Sequence, residues 1–234
     1  MSLRGYGEIN PKELFLLVYG LCSSMGEGIS GLQAGFLLWS HLSRCATLMR
    51  DLAFHIGVKD KEEMDKYFFS GLFHDIGKVC VAPEILNKNE SLNVGEREEI
   101  EKHVSEDSIV QGFEEELGIN APSVPMYIYD CARKHHQLLD GTGYPQPINI
   151  LEEFSPYLRA LMVIDKFEAA TSYLRPWQPK KDYFKIFLEL QEGARDGKLD
   201  KEIVMSFFSY LFGDKINNLT CLPLVFKGLL DQNS

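Results

Sequence analysis

Strand patterning is nearly absent from this chain of 234 residues. The best short candidates are Val79-Cys80-Val81 and Ile148-Asn149-Ile150, which is too little to build a sheet-based core. Cysteine is also sparse. Cys22, Cys45, Cys80, Cys131 and Cys221 are scattered, odd in number and form no CxxC pair. This excludes a disulfide framework or zinc ribbon and fits a reducing cytoplasm. Long apolar runs are missing too. Leu14 to Cys22, following Arg4, is too short to span a bilayer. Glu8, Lys12 and Glu13 break the layout of a signal peptide, and Asn10 with Pro11 opens a helix instead. Positive charge is scarce: 24 Lys and Arg stand against 34 Asp and Glu, a net charge of -10. That balance excludes a nucleic-acid polymer or an anionic membrane as partner. No repeat of a solenoid or propeller is visible.

What remains is helical periodicity almost throughout. The spacing predicts a helix from about Leu32 to Ile56, with His41 in the stripe of Leu38, Cys45, Leu48 and Leu52. A second runs from Lys61 into His74-Asp75, with Gly77 as its stop. A loop through Pro83 and Asn87 follows, then one helix from Glu96 through His103 to Leu117. Another leads from Pro125 to His136. Asp140 to Pro147 reads as loop, and Leu158, Leu161, Met162 and Asp165 share one face of a further helix. Two more are expected over Asp182–Gly193 and Leu199–Phe212. Phe15, Phe36, Phe68 and Phe207 are expected in the core. The expected fold class is all-α, a helical bundle, with an N-terminal helical extension over 1–29, one domain over 30–212 and a C-terminal tail over 213–234.

Three of the six histidines lie in the pairs His74-Asp75 and His135-His136. With His41 and His103, these fall among apolar positions or at helix ends. Burying so many imidazoles without partners is costly. A divalent metal centre satisfies them at once, since imidazole and carboxylate are good ligands for such ions. His55 matches no motif and reads as a helix-end histidine.

The stretch His74-Asp75-Ile76-Gly77-Lys78 matches the HDIGK signature of HD-domain phosphohydrolases. His135-His136-Gln137-Leu138-Leu139-Asp140-Gly141-Thr142-Gly143-Tyr144-Pro145 is similar to the HHExxDGxGYP signature of the HD-GYP family. His41 with Arg44 resembles that family's HSxRV element, His103 its lone middle histidine, and Arg159 to Asp165 its RIxxVxD segment. The resemblance spans roughly residues 30–210 and implies an HD-domain helical bundle with a buried two-metal site. One cation, iron or manganese, would lie on His41, His74, Asp75 and Asp165. The other would lie on Asp75, His103, His135 and His136. Asp75 would bridge, because a carboxylate's two oxygens can bind different cations. Lys78 would offset charge on a phosphate oxygen, and Tyr144, Arg159 and Arg175 would contact substrate.

The implied reaction is hydrolysis of the cyclic dinucleotide cyclic di-GMP by water activated between two cations, with linear pGpG as first product and a second cleavage to GMP left open. The alternatives are a phosphohydrolase for another nucleotide, a di-iron oxygenase, and a catalytically silent sensor. Leu37 stands where some members carry a third-metal glutamate, so two metals are expected. Asp107 replaces a usual glycine, Arg175 is displaced by one position, and the usual Gly-Leu-x-Gly turn after Pro145 is missing. A homodimer or a signalling-protein partner is compatible with the apolar stretch Leu222 to Leu230.

Overall fold

The computed structural model describes residue 20 and residues 28–146, 154–172 and 183–213. Among these there is no strand, only one antiparallel bridge between Gln137 and Gly143. The helices are α1 (Gly28–His55), α2 (Lys61–Phe73), α3 (Pro83–Leu86), α4 (Val94–Glu101), α5 (Glu106–Gln111), α6 (Met126–Lys134), α7 (Pro156–Thr171), α8 (Tyr183–Arg195) and α9 (Lys201–Phe212). The all-α expectation holds. None of these helices is long and apolar enough to cross a membrane.

Local chemistry sets the starts. Asp60 caps α2 by accepting from Glu63 N at 2.9 Å, and Asn93 forms a capping box with Glu96 at α4. Ser155 caps α7 with Pro156 in its first turn, and Asp200 caps α9.

Helix α1 packs against α2, α7 and α9 and feeds two apolar clusters from two of its faces. Leu38, Leu42 and Ala46 join Leu72, Phe73, Ile109, Phe113 and Ile128 in one. Cys45, Met49, Leu52 and Ala53 join Leu161, Phe167, Phe187, Phe207 and Phe208 in the other. His41 lies on α1 beside members of both. Asp165 follows Ile164 of the second cluster and His74 follows Phe73 of the first. The histidines and carboxylates therefore gather where the two clusters meet.

Four expectations change. Val79-Cys80-Val81 is no strand: Ile76–Cys80 is a 3-10 helix, closed by Lys78 N donating to Asp75 O at 2.9 Å. The helix expected from Glu96 to Leu117 is broken into α4, a 3-10 turn at Lys102–Val104, α5 and a π turn at Gly112–Glu116. Ser105 causes the first break, because it adopts extended backbone and turns its hydroxyl to cap α5. Pro83–Leu86 is a short helix inside the expected loop, with proline at its first position. Phe36 is 57% exposed rather than buried, while Phe207 is fully buried as expected. Ile148-Asn149-Ile150, Phe15, Arg175 and nearly all of segments 1–29 and 213–234 lie outside the described residues.

Candidate metal centre

His41 projects from the middle of α1, and Asp165 from α7. His74 ends α2 and Asp75 leads into the 3-10 turn. His103 sits in the turn after α4, and His135 caps α6 with His136 just beyond. Gly77 holds His103 in place by close approach rather than by ending α2. A Cβ at Gly77 would stand 2.0 Å from His103 O, so only glycine lets the two turns touch.

The seven residues converge in two groups. His41, His74 and Asp165 form one, with Cys45 nearby; Asp75, His103, His135 and His136 form the other. In the first, His41 Nε2 is 3.1 Å from His74 Nε2 and 3.2 Å from Asp165 Oδ1. In the second, His103 Nε2 is 3.4 Å from His135 Nε2. Asp75 stands between them. Its Oδ2 is 3.3 Å from His41 Nε2 and 3.4 Å from His74 Nε2. Its Oδ1 is 3.1 Å from His103 Nε2 and 3.4 Å from His135 Nε2.

The far nitrogens of these rings reveal what the near ones are. His74 Nδ1 donates to Gly71 O at 2.9 Å, His103 Nδ1 to Ile100 O at 2.6 Å, and His135 Nδ1 to Cys131 O at 3.0 Å. His41 Nδ1 faces the Glu168 carboxylate. All four partners are acceptors, so a ring proton belongs on each Nδ1 and each Nε2 is turned inward as the atom that can ligate. Four Nε2 atoms thus crowd against one another and against the carboxylates of Asp75 and Asp165. Asp75 Oδ1 is buried and has no hydrogen-bond donor. Cations reconcile this arrangement, and the donor set of imidazole nitrogens and carboxylate oxygens fits divalent first-row metals. The centre is a divalent metal site.

Electrostatics divide the two groups. Burial pushes the His135 pKa down to about 4, and burial followed by the charge of His135 drives His136 well below its ordinary value. Both therefore stay neutral, as ligands must. Burial opposes charge on His41 and His74 as well. There Cys45, Asp165 and Asp75 raise His41, and Asp75 with Asp165 raises His74. Asp75 itself is pushed up by burial but held well below the carboxylate range by Lys78 and His74.

Lys78 reaches back to pair with Asp75 Oδ2. Tyr144 lies on the rim, its ring stacked on His136 with centroids 4.5 Å apart. In its loop, Gly143 has φ +93° and a Cβ there would come 2.2 Å from His136 O, so the loop folds tightly against that histidine. Arg159 is not brought to the cluster. Its guanidinium donates to Phe154 O at 2.9 Å and Asp200 Oδ2 at 3.1 Å, tying the start of α7 to the cap of α9. Asp165 lies about 9 Å further along the helix. Asp107 is exposed in the first turn of α5.

Glu168 is the residue that motif and spacing did not single out. It is 2% exposed and joins His41 to Arg44, whose Nε donates to Oε1 at 2.6 Å. Its signal was a carboxylate one turn beyond Asp165 on a helix otherwise apolar on that side. Cys45 Sγ lies 3.8 and 3.9 Å from the two ring nitrogens of His41. It thus sits beside the ring rather than in line with the Nε2 lone pair, and burial lifts its pKa to about 11, keeping it a thiol. A cavity of about 390 Å³ borders Arg44, Glu168 and Ser172 rather than Asp75.

A model of the HD domain matches residues 36–203. The chain is 28% identical over 166 residues to a 3'3'-cGAMP-specific phosphodiesterase of Vibrio cholerae, covering 70% of this chain and 36% of that protein. It is 32% identical over 111 residues to a cyclic di-GMP phosphodiesterase of Pseudomonas aeruginosa, covering 46% and 25%. A cyclic di-GMP phosphodiesterase of Thermotoga maritima is 28% identical over 169 residues, covering 71% and 43%. The chain therefore spans less than half the length of each of these relatives.

Proposed function

From the premise that this chain belongs to the HD-domain family, we propose that it is a metal-dependent phosphodiesterase acting on cyclic dinucleotides, with cyclic di-GMP opened to pGpG. The observation that carries the reading is Asp75. Its two oxygens each face a separate pair of imidazole Nε2 atoms, an arrangement suited to two cations sharing one carboxylate. When bound, such a metal pair polarises a phosphodiester and lowers the pKa of water to near neutrality. Iron or manganese suits the nitrogen-rich donor set. The relatives named for cyclic di-GMP and for 3'3'-cGAMP support a ring-shaped dinucleotide as substrate class.

The protein's own groups divide the remaining work. His41, His74 and Asp165 hold one side, and His103, His135 and His136 the other. Lys78, its side chain 16% exposed, lies at the centre's edge. It can exchange its pairing with Asp75 for a phosphate oxygen as negative charge builds there. Tyr144, held in its phenol form chiefly by burial and then by Asp75, donates or stacks without adding charge. Arg175 is kept as a substrate contact on the strength of its sequence position alone.

The test is metal analysis followed by product chromatography on cyclic di-GMP and 3'3'-cGAMP side by side. Linear pGpG from a protein carrying two ions supports the reading. Two bound ions with no cleavage of either nucleotide would replace it with a silent sensor.

A further inference from the structure

Three of the inward-facing imidazoles lean on neutral backbone carbonyls: His74 on Gly71 O, His103 on Ile100 O and His135 on Cys131 O. His41 alone among these four leans on a carboxylate, Glu168 Oε2. The other oxygen of Glu168 accepts from Arg44 Nε at 2.6 Å, and Arg44 Nη2 donates to Ser172 Oγ at 2.9 Å. Glu168 is thus oriented from behind, one oxygen for Arg44 and one for His41, and its side chain is 3% exposed.

We propose that Glu168 is a positioning residue that makes the His41 end of the centre the tighter of two unequal cation positions. This inference rests on the two-metal reading above. A cation on Nε2 draws electron density from the ring, and the positive charge that develops is offset better by an anion at Nδ1 than by a carbonyl. Burial strengthens that effect, since little water lies between them to screen it. The rest of the ligand set adds to the imbalance. Asp165 Oδ1 serves only the His41 end, at 3.2 Å from His41 Nε2 and 3.8 Å from His74 Nε2. At the other end three imidazoles share only Asp75 Oδ1. Arg44 completes the arrangement by holding Glu168 aimed at His41.

The experiment is calorimetric titration of the metal-stripped full chain with Mn²⁺, with the free ion followed by electron paramagnetic resonance. The wild type should bind in two steps separated by about tenfold or more. His41→Gln should remove the tight step and His103→Gln the weak one. Glu168→Gln keeps the shape and an acceptor for Nδ1–H but removes the charge. It should weaken the tight step by roughly 10–100-fold and leave the weak step unchanged. Two equal steps in the wild type would overturn the proposal, as would the reverse pattern in the histidine variants or equal weakening of both steps in Glu168→Gln. If Glu168→Gln fails to fold, by circular dichroism, the wild-type and histidine titrations still decide. A folded wild type that binds no Mn²⁺ strikes the two-metal reading itself, and this inference with it.

Discussion

Asp75→Asn tests the centre most directly. The carboxylate is fully buried and its two oxygens face four imidazole nitrogens at 3.1 to 3.4 Å. An amide keeps one oxygen, without charge, and turns an NH₂ toward the other pair. The NH₂ can donate to a lone pair but cannot bind a cation. Each position therefore loses a direct ligand, which should weaken it by at least the upper value for an outer partner, about a hundredfold. That is about 2.7 kcal/mol per ion, or roughly 5 kcal/mol for two. Ions that bind only the folded state add their binding free energy to stability. For a domain of this size the gap in melting temperature between loaded and stripped protein should shrink by roughly 10–20 °C. Thermal unfolding with and without chelator, alongside metal analysis, reads this directly. If Asp75→Asn keeps two ions and the wild-type gap, the bridging assignment is wrong.

Three further outcomes follow from the same geometry. Lys78→Met should retain both ions and lower kcat on cyclic di-GMP by roughly 10²–10³-fold; a drop in metal content with unchanged kcat per bound ion pair would refute its phosphate role. Gly77→Ala drives a methyl into His103 O, 2.0 Å away. It should cost about 1–3 kcal/mol in denaturant unfolding and empty the His103 position, and a fully loaded, equally stable variant would contradict the packing described. Metal-stripped protein should lose stability as pH falls from about 6.5 to about 4, by up to about 3 kcal/mol from His135 alone. Its folded pKa of about 4 lies below the unfolded value, so the unfolded chain binds the proton first. His41 and His74, raised when folded, act in the opposite window. Their contribution is complete below about pH 6.5 and is lost as pH rises through their folded values. Stability by chemical denaturation should therefore peak near neutrality, and a steady gain on acidification would refute the assignment.

Much of the molecule is legible in the chain itself. The near-absence of alternating apolar patterns excludes a sheet, and helical spacing places His41 and Asp165 on inward faces. The paired motifs mark His74-Asp75 and His135-His136. These are local signals, carried by periodicity and by residues adjacent in the chain. Breaks within helices are harder to read, because Ser105 serves equally as an interior residue or as the cap of the next segment, and only packing decides.

The sequence alone determined the helical class through its periodicity, and its resemblance to the HD-GYP motifs singled out the seven candidate metal-ligating residues, since both signals are carried by local spacing along the chain. Tertiary structure decided which oxygen of Asp75 faces which imidazoles. It committed Arg159 to Asp200 and put Glu168 behind His41, 127 positions away in the chain. Contacts of that kind arise when separate helices pack, and the ring nitrogens they leave facing one another are a property of the assembled interior rather than of any segment within it.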